Sequence, residues 1–168
     1  MKKIFIFSLF IAILYSTPIF AKTGDIIDFE GYTLENVKMT SKEIFSANKI
    51  TMINIWGSWC HYCVDELDDL AELHKKLQAK GCGIVGIEVE GDSNESTYAQ
   101  AKKLLQEKGV TYPNVVIPDE SSEFIKNVQA FPTTFFVDSD GQILTDPIIG
   151  AAVNEYEPTI NNLLEKKK

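Results

Sequence analysis

Beyond residue 21 the chain alternates between short apolar runs and longer stretches with apolar positions at helical spacing. Thr51–Trp56 (Thr-Met-Ile-Asn-Ile-Trp) is mostly apolar, which predicts a strand covered on both faces. Gly83–Val89 predicts a second such strand, Val115–Ile117 a short one, and the β-branched and aromatic Thr133–Val137 another. Val64, Leu67, Leu70, Ala71, Leu73 and Leu77 recur at helical spacing, predicting a long helix from near Cys60 to Lys80. Gly81 closes it, and Lys75, Lys76 and Lys80 suit its negative end. Asp92–Asn94 turn the chain into a helix over about Glu95–Lys108, Asp119 caps one through Val128, and Glu155–Lys166 forms the last. Thr40-x-x-Glu43 is a capping box for a short helix through Ala47. Weaker strand patterning covers Ile26–Phe29 and Leu34–Met39, and Ser139-Asp140-Gly141 turns into a strand at Ile143–Leu144. Strands and helices alternating before a late hairpin predict an α/β domain, one central sheet with helices on both faces.

The first 21 residues carry a different pattern. Lys2 and Lys3 precede an apolar stretch from Ile4 to Leu14, broken only by Ser8; Ser16, Thr17 and Pro18 then lead to Ala21. That is the order of a secretory signal peptide, and the apolar run is short for a bilayer span. Residues 1–21 therefore read as an export signal and 22–168 as the domain. Ile19 fits the small-residue cleavage pattern poorly, which leaves an uncleaved anchor as the alternative. The expectation is an exported domain, periplasmic or on the extracellular face of the membrane, soluble or N-terminally anchored, where disulfides persist.

At 168 residues, 45% apolar and 24% charged, the chain has material for one globular core. All sixteen basic residues are Lys, and the formal charge of −8 becomes −10 without Lys2 and Lys3. An acidic chain lacking Arg argues against nucleic-acid partners and arginine-assisted phosphoryl transfer. With no 18-residue apolar run, a polytopic membrane protein is excluded.

The chemistry concentrates in Trp56-Gly57-Ser58-Trp59-Cys60-His61-Tyr62-Cys63. A thiol attacks as thiolate, and a helix N-terminus favours that form through its free amides and positive dipole end. Here a buried strand feeds a Gly-Ser break and Cys60 falls at the helix start, with Cys63 one turn on. The arrangement supports thiol–disulfide exchange, Cys60 attacking and Cys63 resolving. Structural zinc lacks a second ligand pair, and a disulfide of this span staples almost nothing. Copper carriage through both thiolates suits a soft ion and stays as a rival. A peroxidase would place Thr three residues before a lone reactive Cys; Gly57 stands there.

Trp-x-x-Trp-Cys-x-x-Cys, together with Phe131-Pro132-Thr133-Thr134 before an aromatic strand, resembles the thioredoxin superfamily, and within it the exported TlpA/ResA-like thiol–disulfide oxidoreductases. The likeness spans about Ile26 to Leu164. It implies a thioredoxin-like fold with a central mixed sheet, a cis Pro132 against the cysteine pair, and a client groove floored by Phe131 and Pro132 with Trp59 beside it. It further implies a monomeric reductant with no cofactor and no metal. Electrons would come from a membrane thiol transporter and pass to a client disulfide, with apocytochrome c and a methionine sulfoxide reductase as candidates. A disulfide-forming oxidant of the same fold is the alternative.

The chain departs from that pattern in places. Asn54 stands six residues before Cys60, where thioredoxins proper carry a buried Asp, and an amide accepts no proton. TlpA-like relatives keep a Glu near the end of the next strand, which points to Glu88 and Glu90, two apart and on one face. Either carboxylate could take the proton of Cys63 if buried, or face solvent as a strand-end acid. Asp68 replaces the usual helix proline. Asp65, Glu66, Asp68 and Asp69 read as a solvated face, His61 as a solvated side chain, His74 as a helix–sheet packing residue and Cys82 as a small buried hydrophobe.

Overall fold

The apolar run ahead of the cysteines forms the middle of a seven-stranded sheet. The computed structural model describes residues 21–89, 95–118 and 123–167. Its elements are β1 (Glu30–Thr33), β2 (Lys38–Thr40), α1 (Ser41–Ser46), β3 (Ile50–Trp56), α2 (His61–Gln78), β4 (Cys82–Glu88), α3 (Glu95–Glu107), β5 (Asn114–Val116), α4 (Glu123–Lys126), β6 (Thr133–Asp138), β7 (Ile148–Ile149) and α5 (Val153–Lys166). The sheet order is β2-β1-β5-β4-β3-β6-β7. Strands β3, β4 and β5 run parallel, and the outer pairings are antiparallel, so the sheet is mixed.

Every residue of β3 and β4 is buried, because helices cover both faces. Alternation sorts β3 into two sets. Ile50 and Met52 pack with Leu70, Leu73 and Leu77 of α2 and with Tyr156 and Ile160 of α5. Trp56 joins Leu67 of α2 and Ala101 and Leu105 of α3. On the other face Ile53 and Ile55 meet Ile44 and Phe45 of α1, with Phe124 of α4 packed alongside. Each fully buried Ile or Leu contributes about 1.5–3 kcal/mol.

The capping box forms as read: Thr40 accepts from the Glu43 N–H, and the Glu43 side chain accepts from Thr40 N–H. Other expectations need correction. Ile26 makes only an isolated bridge to Gln142, and the first strand is β1. Leu34–Met39 is mainly a turn: Asn36 adopts φ 61°, and Thr33 Oγ1 accepts from the Glu35 and Val37 amides. Ile143 reaches β6 only through a bridge to Val137. Pairing resumes at β7, which the sequence reading missed, after Pro147, whose ring nitrogen cannot donate to a ladder. Of the helix expected from Asp119 to Val128, α4 is the one turn among the described residues; Asp119 and Asp92–Asn94 lie outside them.

Candidate active site

Strand β3 delivers Trp56 to the end of the sheet, where its indole N–H donates to Asn114 Oδ1 at 3.0 Å. The chain then turns sharply, Cys60 N–H donating to Gly57 O at 3.0 Å. Gly57 has a steric reason: a Cβ there would lie 2.6 Å from Trp59 Nε1, so only glycine lets the indole fold back over the turn. Cys60 is the N-cap of α2, its Sγ accepting from the Cys63 N–H at 3.3 Å. Cys60 and Cys63 are joined by a disulfide, with Cα atoms 5.2 Å apart. Their exposure differs, 6% for Cys60 and 0% for Cys63. The same amide and helix end that cap α2 would stabilise a Cys60 thiolate once the bond is reduced.

Of the expected groove residues, Phe131 packs beside this pair, against the cluster containing Trp56, Cys60, Cys63 and Leu67, and meets Trp59 edge-to-face with ring centroids 5.5 Å apart. The Phe131–Pro132 peptide bond is cis. Trp59 remains 55% exposed and Tyr62 is exposed as well, so the disulfide has an aromatic rim. Thr133 Oγ1 ties the loop by donating to Ala130 O at 2.7 Å.

Two carboxyls lie buried near the pair, one against the turn and one on α2. Glu88 is 0% exposed, which removes the solvent-facing reading, and its Oε1 accepts the Ser58 N–H at 3.3 Å. Glu90, the other candidate, lies outside the described residues. The second carboxyl corrects the solvated-face reading of the acidic run. Glu66 is 2% exposed, on the face of α2 that carries Cys63, one turn away. Its Oε1 accepts from Asn54 Nδ2 at 2.7 Å and its Oε2 from the Tyr156 hydroxyl at 2.9 Å. Burial pushes the Glu66 carboxyl up to about 7, against the opposing pull of those two donors. Asn54 thus holds an acid instead of being one. Two signals pointed to Glu66: the spacing Cys63, Glu66, Leu67, Leu70, and a lone amide in an apolar strand.

The rest of the acidic run is solvated. Asp65 faces His61 across an exposed i,i+4 pair at 3.2 Å, and Asp68 pairs with Lys108. His74 packs as expected, its Nδ1 accepting from Ile84 N–H at 3.4 Å and burial keeping it below the usual histidine range. Cys82 is free and buried, and burial raises its thiol. Among the described residues, no cluster of three His, Cys, Asp or Glu converges as a metal site would, and no helix is long and apolar enough to cross a membrane.

A sequence profile of the AhpC/TSA family matches residues 23–145. Thiol-disulfide oxidoreductase ResA of Bacillus thuringiensis (strain Al Hakam) is 28% identical over 130 residues, covering 77% of this chain and 68% of ResA. Thiol:disulfide interchange protein DsbE of Pasteurella multocida (strain Pm70) is 35% identical over 103 residues, 60% of this chain and 51% of DsbE. The crystal structure of a thiol:disulfide interchange protein of the thioredoxin family from Chlorobium tepidum TLS superposes with a TM-score of 0.67 at 21% identity, over 86% of this chain and 97% of that one. The mixed sheet is therefore thioredoxin-like, its end carries a bonded Cys-x-x-Cys, and the chain belongs to the AhpC/TSA family.

Proposed function

We propose that this chain is an extracytoplasmic thiol–disulfide oxidoreductase that reduces disulfides in client proteins. The observation that carries it is the bonded Cys60–Cys63 pair at the N-terminus of α2, with Cys60 at the edge of the buried cluster and Cys63 fully enclosed. In the reduced enzyme the Cys60 thiolate attacks one sulfur of a client disulfide. The other client sulfur leaves as thiolate and takes a proton, and a Cys60–client mixed disulfide remains. The Cys63 thiol then gives up its proton and attacks Cys60 Sγ, releasing the second client sulfur. The client has gained two electrons from the cysteine pair and two protons from solvent, and the chain is left in the bonded form.

Glu66 is assigned the proton of Cys63, because it is buried one helical turn away and its proton affinity lies near neutrality. Glu88, one of the two candidate acceptors from the sequence, is assigned to hold the Gly57–Ser58 turn through Ser58 N–H. Trp59, Phe131 and Pro132 form the client groove. Charge around the pair supports the reducing direction. The carboxylates along α2 work against a thiolate on that helix, while His61 is turned outward to Asp65. A poorly stabilised dithiol form gives up its electrons readily. A dithiol donor must then re-reduce the pair, and a membrane thiol transporter fits that need. The likeness to ResA supports this assignment, and the apolar leader supports action outside the cytoplasm.

Trapping tests the roles. Cys63→Ala is expected to accumulate a mixed disulfide with the client, and Cys60→Ala to accumulate none. Equal trapping by both variants contradicts the assignment. A glutathione titration tests the direction, since a potential above about −200 mV would make the chain an oxidant.

A further inference from the structure

A line of hydrogen bonds connects the Pro132 edge to the buried carboxyl of Glu66, one helical turn from Cys63. Gly150 N–H, just after β7, donates to Pro132 O at 2.8 Å. Two residues on, Ala152 N–H donates to the hydroxyl oxygen of Tyr156, a fully buried residue in the first turn of α5, at 3.2 Å. That hydroxyl has Glu66 Oε2 at 2.9 Å and Gly150 O at 3.5 Å as acceptors in reach, and the Thr134 side chain of β6 bonds it as well. It has one proton to give. Burial holds the Tyr156 phenol up to about 12, so it keeps that proton at neutrality.

The geometry suits both forms of Glu66. When the carboxylate is ionised, the Tyr156 O–H points to Oε2. When Glu66 is protonated, its own O–H can donate to the Tyr156 oxygen, and the phenol proton swings to Gly150 O. A buried acid without such a partner would leave an unpaired polar group in one of its two states, at a substantial cost.

We propose that Tyr156 is a positioning residue of the proton step: its hydroxyl serves Glu66 as donor and then as acceptor, and ties that carboxyl to the Gly150–Ala152 loop bonded to Pro132. This rests on the reading of Glu66 as acceptor of the Cys63 proton. The other groups around Glu66 do not supply both roles. Asn54 Nδ2 only donates, Asp69 on the same helix contributes a like charge, and Tyr112, from the segment before β5, adds an unfavourable influence between the two groups. Thr134 on β6 bonds both Asn54 and the Tyr156 hydroxyl.

The test reads Glu66 directly. In oxidised protein with 13C-labelled Glu carboxyls, NMR titration of wild type and Tyr156→Phe gives the Glu66 midpoint without any client. Losing the donor to the charged form is expected to raise that midpoint by about half a unit to one unit. Single-turnover resolution of a mixed disulfide with a model peptide is expected to shift its pH profile in the same direction. In a Glu66→Gln background, Tyr156→Phe should shift nothing further. If Tyr156→Phe does not fold, 3-fluorotyrosine at 156 keeps the shape and strengthens the donor, and the midpoint should fall. An unmoved midpoint in the folded variant overturns the inference, as does an equal shift of the resolution profile in the Glu66→Gln background. A moved midpoint with a resolution profile untouched by either substitution removes Glu66 from the reaction, and this inference with it, while leaving the Cys60–Cys63 exchange standing.

Discussion

Glu66 ties the stability of the fold to pH. Its carboxyl rises from 4.5 to about 7 on burial. Below pH 4.5 the acid is protonated in both folded and unfolded chains and makes no difference. Between 4.5 and 7 the unfolded chain ionises while the folded one keeps its proton, so folded stability falls as pH rises. At about 1.36 kcal/mol per unit, the full loss is about 3 kcal/mol, reached above pH 7. Glu66→Gln removes the titration while keeping the size of the side chain, and its amide can still accept from Asn54 or Tyr156. The variant is therefore expected to gain about 3 kcal/mol relative to wild type between pH 4 and pH 8. Urea unfolding of both oxidised proteins at several pH values measures this as a difference curve, in which other titrating groups cancel. A sloping difference centred between 4.5 and 7 is the expected result. A difference that is flat across that range would refute the burial argument for Glu66.

Two further substitutions probe the same region. Asn54→Asp replaces the donor to Glu66 with a second carboxyl at 2.7 Å, so the pair should hold one proton between them; a loss of at least about 2 kcal/mol at pH 8, largely absent at pH 4, is expected from urea unfolding. Gly86→Ala would put a Cβ 1.9 Å from Asn114 Oδ1 and 3.1 Å from Trp56 Nε1, breaking the bond that seats Trp56. A loss of about 2–4 kcal/mol should appear as a fall in Tm, and a change within about 0.5 kcal/mol would contradict the packing argument.

Local signals were readable where the physics is local. Cys60 as a helix start, the Thr40 box and the buried runs of β3 and β4 each depend on residues a few places apart, and each stands where the sequence puts it. Gly81 and Gly109 close their helices with positive φ, as expected of helix-ending glycines. What escaped depends on distant partners. Strand β7 is two residues long and exists because Thr133 and Thr134 offer an edge to pair with. Glu66 sits in a run of acids that composition marks as wet, yet one helical face of that run is dry. Its donors, Asn54 and Tyr156, are 12 and 90 residues away in sequence. No window along the chain holds all three.

Cys82 gives the oxidised molecule a built-in reporter. It pairs with Ile50 at the far end of β4, about 20 Å along the strand from the residue beside Trp56. Two of the three cysteine sulfurs are locked to each other, and this third one is sealed under the lysine-bearing end of the sheet. A maleimide added to the oxidised native protein can therefore register only when the sheet parts, so its labelling rate counts opening events without a chromophore, a denaturant or an engineered tag.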